Sequence, residues 1–265
     1  MSEPSPAVRD LRVTVLGSSS AVPRPGRACS GYLIEAGDTA LVADLGSGAL
    51  ANLHRLRAAE DVSAVVISHM HADHFIDLIP MRYALKYGPR SNARKVPLWL
   101  PPGGERMLRT LVSAFARESP YDFLGEVFSV GEYDPAGELR VGAATLRFAA
   151  TEHYITTFAL RCTAGGQNLT YSADTAPAAA VEDLARDTGL FICEATLLPG
   201  ESEATRGHLS AEEAGALAQR ARVRRLALTH YPAETSSAEL LSAAAGSYSG
   251  ELSVVDDLDV LSARP

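Results

Sequence analysis

Three of the seven histidines fall within six positions, in the run His69-x-His71-x-Asp73-His74. The run follows Val62 to Ser68, a continuous apolar stretch that reads as a buried strand, and precedes Phe75 to Tyr87, whose apolar spacing is helical. Four donor side chains are thereby confined to one tight turn at a sheet edge. A lone histidine is usually a core or surface residue, so the clustering sets this run apart. Imidazole nitrogens and carboxylate oxygens are the donors zinc takes at catalytic sites. Alternate residues of an extended turn can converge on one ion while Asp73 and His74 face another, so the spacing suits two metals.

Two ions need further ligands. His153 follows one apolar strand pattern, Asp174 follows Leu169-Thr170-Tyr171-Ser172, and His230 follows Leu226-Ala227-Leu228-Thr229. Isolated residues of these types are more often caps or solvated loops, and it is their shared placement at strand ends that makes them candidates.

The pattern along the chain opens with strands at Leu11 to Leu16, Gly31 to Glu35 and Ala40 to Ala43, a β-meander, followed by a helix over Ala49 to Ala59. Helical spacing recurs at Glu105 to Arg117, Pro177 to Arg186, Ser210 to Ala221 and Ser236 to Ala245. Further strands are expected at Phe123 to Val130, Leu139 to Ala149, Phe158 to Thr163, Asn168 to Ser172, Leu190 to Glu194, Arg225 to Thr229 and Leu252 to Val255. That is too many strands for one simple sheet. A meander followed by strand-helix alternation suits an α/β chain with two sheets face to face and helices outside, a four-layer αββα sandwich. Linkers are short, and the Pro/Gly clusters at Pro101 to Gly104 and Pro199-Gly200 read as loops, so one domain over 1–265 is expected, with 1–10 as a flexible tail.

On these residues the chain resembles the metallo-β-lactamase superfamily, and within it the RNase Z-like phosphodiesterases. The His-x-His-x-Asp-His motif is specific for the superfamily and poor at naming a substrate. The resemblance implies the metallo-β-lactamase fold, with a first zinc on His69, His71 and His153, a second on Asp73, His74 and His230, and Asp174 bridging them. It also implies a homodimer. Thr151-Glu152-His153-Tyr154 differs from the Gly-His-Thr context of glyoxalase II and true β-lactamases. Cys193-Glu194-Ala195-Thr196 resembles the His-Glu-Ala-Thr segment of the RNase Z branch, and Gly207-His208-Leu209-Ser210 its Gly-His-Ser-Thr segment. Glu194 and His208 thereby correspond to the acid dyad of that branch, while Cys193 stands where the branch has histidine. The blander readings are a structural carboxylate at Glu194 and, at His208, a residue that merely precedes a Ser210 N-cap with Glu213 at N3. Asp44 resembles the early aspartate that braces the metal-binding loop, or it caps the following helix. Ser18 to Ser20 is a turn or a substrate-facing loop, and Tyr154 and Tyr231 either line the pocket or pack on the core.

The resemblance implies hydrolysis by a hydroxide held between the metals, with His208 protonating the departing alkoxide and Asp73 orienting or deprotonating the water. Mn or Fe can share such a donor set with zinc. A formal charge of −8, with no long basic run, argues against a broad nucleic-acid footprint. Tyr154 to Ala173, between two ligands, suffices for two strands and a turn and carries Arg161 as its sole cation, so the basic arm of tRNA-processing members is absent. The stretch from His208 to Pro232 most resembles actinobacterial RNase Z-like proteins, some described as cyclic-nucleotide phosphodiesterases. A small cyclic or short phosphodiester, such as a 3',5'-cyclic nucleotide, is the expected substrate. A tRNA 3'-end endonuclease, a sulfate-ester, carboxyl-ester or lactone hydrolase, and a non-catalytic metal-binding module stay open as alternatives. Three widely spaced cysteines suit reduced thiols, and the polar start and absence of a long apolar run suit a cytoplasmic protein away from membranes.

Overall fold

The computed structural model describes residues 10–90, 94–198 and 206–264. Residues 1–9 of the tail expected over 1–10, and the loop at Pro199-Gly200, lie outside the described residues, while Asp10 is described and pairs with Arg264.

The first sheet contains β1 (Leu11–Gly17), β2 (Gly31–Ala36), β3 (Thr39–Leu45), β4 (Ala64–Val66), β5 (Val96–Leu100) and β6 (Phe128–Glu132) in sequence order, with the C-terminal strand β14 (Val260–Ser262) closing its edge beside β1. The second runs β7 (Leu139–Val141), β8 (Ala144–Ala150), β9 (Phe158–Ala164), β10 (Gln167–Tyr171), β11 (Leu190–Glu194), β12 (Arg225–Thr229) and β13 (Glu251–Val254). One apolar cluster, including Val13, Leu41, Leu160 and Ile192, fills the space between the sheets. A second joins the first sheet to α1 (Ala49–Leu56), α2 (Ala72–Phe75), α3 (Leu78–Tyr87), α4 (Gly104–Ser113) and α5 (Pro120–Gly125). A third joins the other sheet to α6 (Ala179–Ala185), α7 (Ala211–Arg220) and α8 (Ser237–Ala245). The αββα layering is therefore as the sequence pattern anticipates. It also explains why β3 is apolar at most positions: Leu41 and Ala43 face the other sheet while Ala40 and Val42 face the helices.

Several elements differ from the sequence reading. Phe123 to Val130 is not one strand: Ser119 accepts the Asp122 N–H and Pro120 occupies the first turn, so Phe123 and Leu124 are helical and β6 begins at Phe128. Leu139 to Ala149 is a hairpin, broken by Gly142 at φ +55°. The helix expected at Phe75 starts earlier, at Ala72, and resumes as α3 at Leu78. The strands β5 and β14 are not anticipated by the period-two pattern. No described helix is long and apolar enough to cross a membrane.

Candidate metal centre

Strand direction gathers the donors. β10, β11 and β12 are mutually parallel, and β8 reaches β10 across the antiparallel β9, so all four have their carboxyl ends at one edge. His153, Asp174, Glu194 and His230 lie at or just beyond those ends. From the first sheet, the turn after β4 presents His69 and His71, and α2 follows at once with Asp73 and His74.

His69, His71, His153 and Asp174 form one group of donor atoms, and Asp73, His74, Asp174 and His230 a second, each within 4.8 Å. In the first, His71 Nδ1 lies 3.2 Å from His69 Nε2 and 3.0 Å from His153 Nε2. Asp174 Oδ2 is 3.6 Å from His69 Nε2 and 3.7 Å from His153 Nε2. In the second, His230 Nε2 is 3.3 Å from both His74 Nε2 and Asp73 Oδ2, and Asp174 Oδ1 is 3.4 Å from His74 Nε2. All seven ligands implied by the resemblance are thus brought together, in the two sets it implies.

The remote nitrogen of four imidazoles fixes the tautomer. His69 Nδ1–H donates to Ser68 Oγ at 3.0 Å, and that hydroxyl donates to Asp44 Oδ2 at 2.8 Å. His74 Nδ1–H donates to Asp44 Oδ2 at 2.8 Å, and His153 Nδ1–H to the Gly207 carbonyl at 2.7 Å. His230 Nδ1–H donates to Thr196 Oγ1, which donates in turn to the His230 carbonyl, both at 2.8 Å. Each of these rings therefore turns a bare Nε2 lone pair toward the cluster, while His71 presents Nδ1. Buried Asp174 Oδ1 has no hydrogen-bond donor, which costs about 1–3 kcal/mol or more unless a cation meets it. Bare imidazole nitrogens around an unpartnered carboxylate oxygen fit a first-row divalent metal.

The electrostatics agree. Burial opposes ionisation of Asp73 and Asp174, yet His230 and His74 hold both carboxyls well below the usual range. Burial likewise opposes charge on His74, but Asp174 and Asp44 raise it well above the usual imidazole value, so this point calls for positive charge from a proton or a metal ion. Asp44 also accepts from the Ser68 N–H at 2.7 Å and from Tyr171 OH at 2.9 Å, which makes it the brace of the ligand turn; it makes no cap to α1, whose Leu50 N–H goes to Asp77. Asp44, Ala173 and His230 have φ of 57°, 50° and 51°, left-handed backbone at the ends of β3, β10 and β12. Such strain costs roughly 1–2 kcal/mol per residue and turns the chain so that the following or resident side chain meets the cluster.

Glu194 is fully buried. Its Oε1 accepts from His208 Nδ1 at 2.9 Å and from the Thr175 N–H at 2.7 Å. Burial alone would push His208 down, but the hydrogen bond and charge of Glu194, with Asp174 behind, hold it at about 9. The His208 ring is centred 5.0 Å from that of His153 and 5.8 Å from that of His230. Ser210 forms the capping box with Glu213, an arrangement compatible with the Glu194–His208 hydrogen bond. Cys193 faces elsewhere: along β11, Leu190 and Ile192 point between the sheets, whereas Phe191 and Cys193 join the cluster under α7.

A cleft of 360 Å³ opens over the cluster, bounded by Ser20, Ala21, Tyr154, Thr196 and His208. Ser18 is instead buried, held through its N–H and hydroxyl by Asp257. Tyr154 lines the cleft; Tyr231 packs under Arg24 and Arg27 and donates to Asp256. Ser68, Tyr171, Thr196 and the Gly207 carbonyl carry no sequence signal beyond a position within three residues of a candidate.

The model for the Beta-lactamase superfamily domain matches residues 32–231. An uncharacterized protein of Mycobacterium tuberculosis, Rv1339, is 34% identical over 250 residues, covering 94% of this chain and 90% of that protein. Ribonuclease Z of Mycobacterium tuberculosis is 28% identical over 278 residues, covering 96% and 99%. The crystal structure of the metallo-beta-lactamase fold protein YhfI from Bacillus subtilis superposes with a TM-score of 0.85 at 27% identity, covering 96% of this chain and 100% of that one. With the fold, the clustered ligands and a family match over most of its length, the chain belongs to the beta-lactamase superfamily and is a metallo-hydrolase close to YhfI and the RNase Z-like proteins.

Proposed function

We propose that the chain is a dinuclear zinc phosphodiesterase acting on a small cyclic or short phosphodiester, such as a 3',5'-cyclic nucleotide. The observation that carries this reading is the Glu194–His208 pair beside two donor sets that share Asp174. His69, His71 and His153 would hold one ion, Asp73, His74 and His230 the other, with Asp174 serving both. Bound there, the ions supply ionised water at neutral pH and offset charge on the phosphoryl oxygens.

The chain's own groups supply the rest. His208, kept protonated by Glu194, donates its proton to the leaving alkoxide. Glu194 stays fixed because the Thr175 and Thr196 N–H groups also bond it. Asp73 uses one oxygen toward His230 and His74, leaving the other to orient the attacking water. Substrate size follows from the hairpin between His153 and Asp174: β9 and β10 are joined by Gly165-Gly166, both at positive φ, with no room for an arm. The cleft volume falls in the small-molecule range of about 300–1,000 Å³.

Zinc-loaded protein offered 3',5'-cyclic AMP, bis(p-nitrophenyl) phosphate, a pre-tRNA, and p-nitrophenyl sulfate and acetate, with His69→Ala as blank, tests the reading. Turnover of the phosphodiesters with preference for cyclic AMP is expected. Cleavage confined to the pre-tRNA, the sulfate or the acetate overturns the substrate assignment.

A further inference from the structure

Gly207 is buried between two functional side chains. Its carbonyl accepts the His153 Nδ1–H at 2.7 Å, and the next residue along the chain is His208. His153 turns its other nitrogen, Nε2, to the first donor set, 3.0 Å from His71 Nδ1 and 3.7 Å from Asp174 Oδ2. His208 Nδ1–H donates to Glu194 at 2.9 Å, and the His208 ring is centred 5.0 Å from that of His153, edge to face. The acid is therefore held between two strand ends. Its side chain rests on Glu194 at the end of β11, and the residue before it rests on His153 just beyond β8. The fit at Gly207 excludes a side chain, because a Cβ there would lie 2.7 Å from His153 Nδ1 and 2.9 Å from Tyr154 Cε2.

We propose that Gly207 is a positioning residue that ties the placement of His208 to the filling of the first metal set. The inference rests on the phosphodiesterase reading, which makes His208 the acid, and adds the group that sets the acid in place. With its Nε2 on a cation, the His153 ring is fixed in orientation and its Nδ1–H becomes a stronger, charge-assisted donor to the Gly207 carbonyl. The anchor at Gly207 tightens, and His208, one residue on, has less freedom to leave Glu194. Without the cation, the ring can take the Nε2–H tautomer, and the Gly207 carbonyl then loses its donor.

The test follows the His208 Nδ1–H by nuclear magnetic resonance at pH 7, its signal identified by its loss in His208→Ala. Exchange of that proton with solvent reads how often the His208–Glu194 bond opens. Zinc loading of the wild-type protein is expected to slow the exchange about tenfold or more. His71→Ala, which removes a first-set donor and leaves Gly207 untouched, should abolish the slowing, and so should Gly207→Ala. Equal exchange with and without zinc in the wild type, or slowing that survives in a folded variant, overturns the proposal. Should circular dichroism show Gly207→Ala unfolded, the wild type and His71→Ala decide. Turnover supplies a second readout. At saturating zinc, Gly207→Ala should lose about tenfold more kcat on 3',5'-cyclic AMP, whose alkoxide needs a proton, than on bis(p-nitrophenyl) phosphate, whose p-nitrophenolate does not. Equal losses would reduce Gly207 to a structural role and overturn the proposal as well. Zinc-dependent slowing in a protein that turns over neither substrate sinks the phosphodiesterase reading and leaves the tie between Gly207 and His208 standing.

Discussion

Glu194 and His208 illustrate how burial is turned to use by one hydrogen bond. A buried imidazole ordinarily loses its proton early, and a buried carboxylate is costly unless donors surround it. Here Glu194 has three such donors, His208 and the Thr175 and Thr196 amides, and its charge keeps His208 protonated up to about 9. A raised imidazole pKa means that the acid is present below that value and is lost as pH rises through it, so kcat/KM should fall on the alkaline side near pH 9. Glu194→Gln keeps an acceptor but removes the charge. Its alkaline limb should move down toward the ordinary histidine range, about 6.5, and a limb that stays in place would show that His208 is not the acid. His208→Ala should cost about 10²–10⁴ in kcat for substrates with poor leaving groups, and much less for p-nitrophenolate, which departs without a proton.

At the scale of elements, the ligand turn is held by contacts too close to admit a methyl group. Gly46 follows β3, and a Cβ there would lie 1.8 Å from the Asp73 carbonyl oxygen and 2.9 Å from Cys29 Cβ. Gly46→Ala must therefore displace the start of α2, and with it Asp73 and His74, while leaving His153 on its own strand end. Reduced zinc stoichiometry in a protein with unchanged far-ultraviolet circular dichroism is expected; full stoichiometry would mean the turn can shift without cost to its donors. The same geometry explains what was legible beforehand. Ligands at strand ends are visible because a polar residue after an apolar run breaks the pattern, as at His69, Asp174 and His230. Strand β5 was missed because Pro97 interrupts it, and β14 because Val260 is exposed and its pairing with β1 spans nearly the whole chain. Supporting groups such as Thr196 and Ser68 have no pattern of their own, since hydroxyls at loop positions usually make local turns. Cys193 became intelligible only with its strand: period-two alternation sends it under α7, and Glu194 to the site.

For the molecule as a whole, the candidate metal cluster draws donors from both sheets, which are also joined by apolar packing and by hydrogen bonds such as Tyr171 OH to Asp44 and Tyr32 OH with Thr229. His69, His71, Asp73 and His74 enter from the first sheet, and His153, Asp174 and His230 from the second, so an ion bound at either donor set ties both layers. Unfolding scatters these ligands, and ions that bind the native state alone stabilise it by mass action. At a hundredfold excess over Kd, that is about 2.7 kcal/mol per ion, or about 5 kcal/mol for two. In a chain of this size each kcal/mol moves Tm by roughly 2–4 °C, so stripping the metal should lower Tm by about 10 °C or more, and zinc should restore it. The size of the step also reports the geometry. His69→Ala and His230→Ala each remove one ligand from a different set, and if the sets are tied through Asp174, either variant should lose more than half of the stabilisation. Losses that simply add would mean that Asp174 does not couple the two sets, and a Tm indifferent to chelation after metal analysis shows the ions gone would mean that the sheets are held by their apolar interface and direct hydrogen bonds without help from the metal.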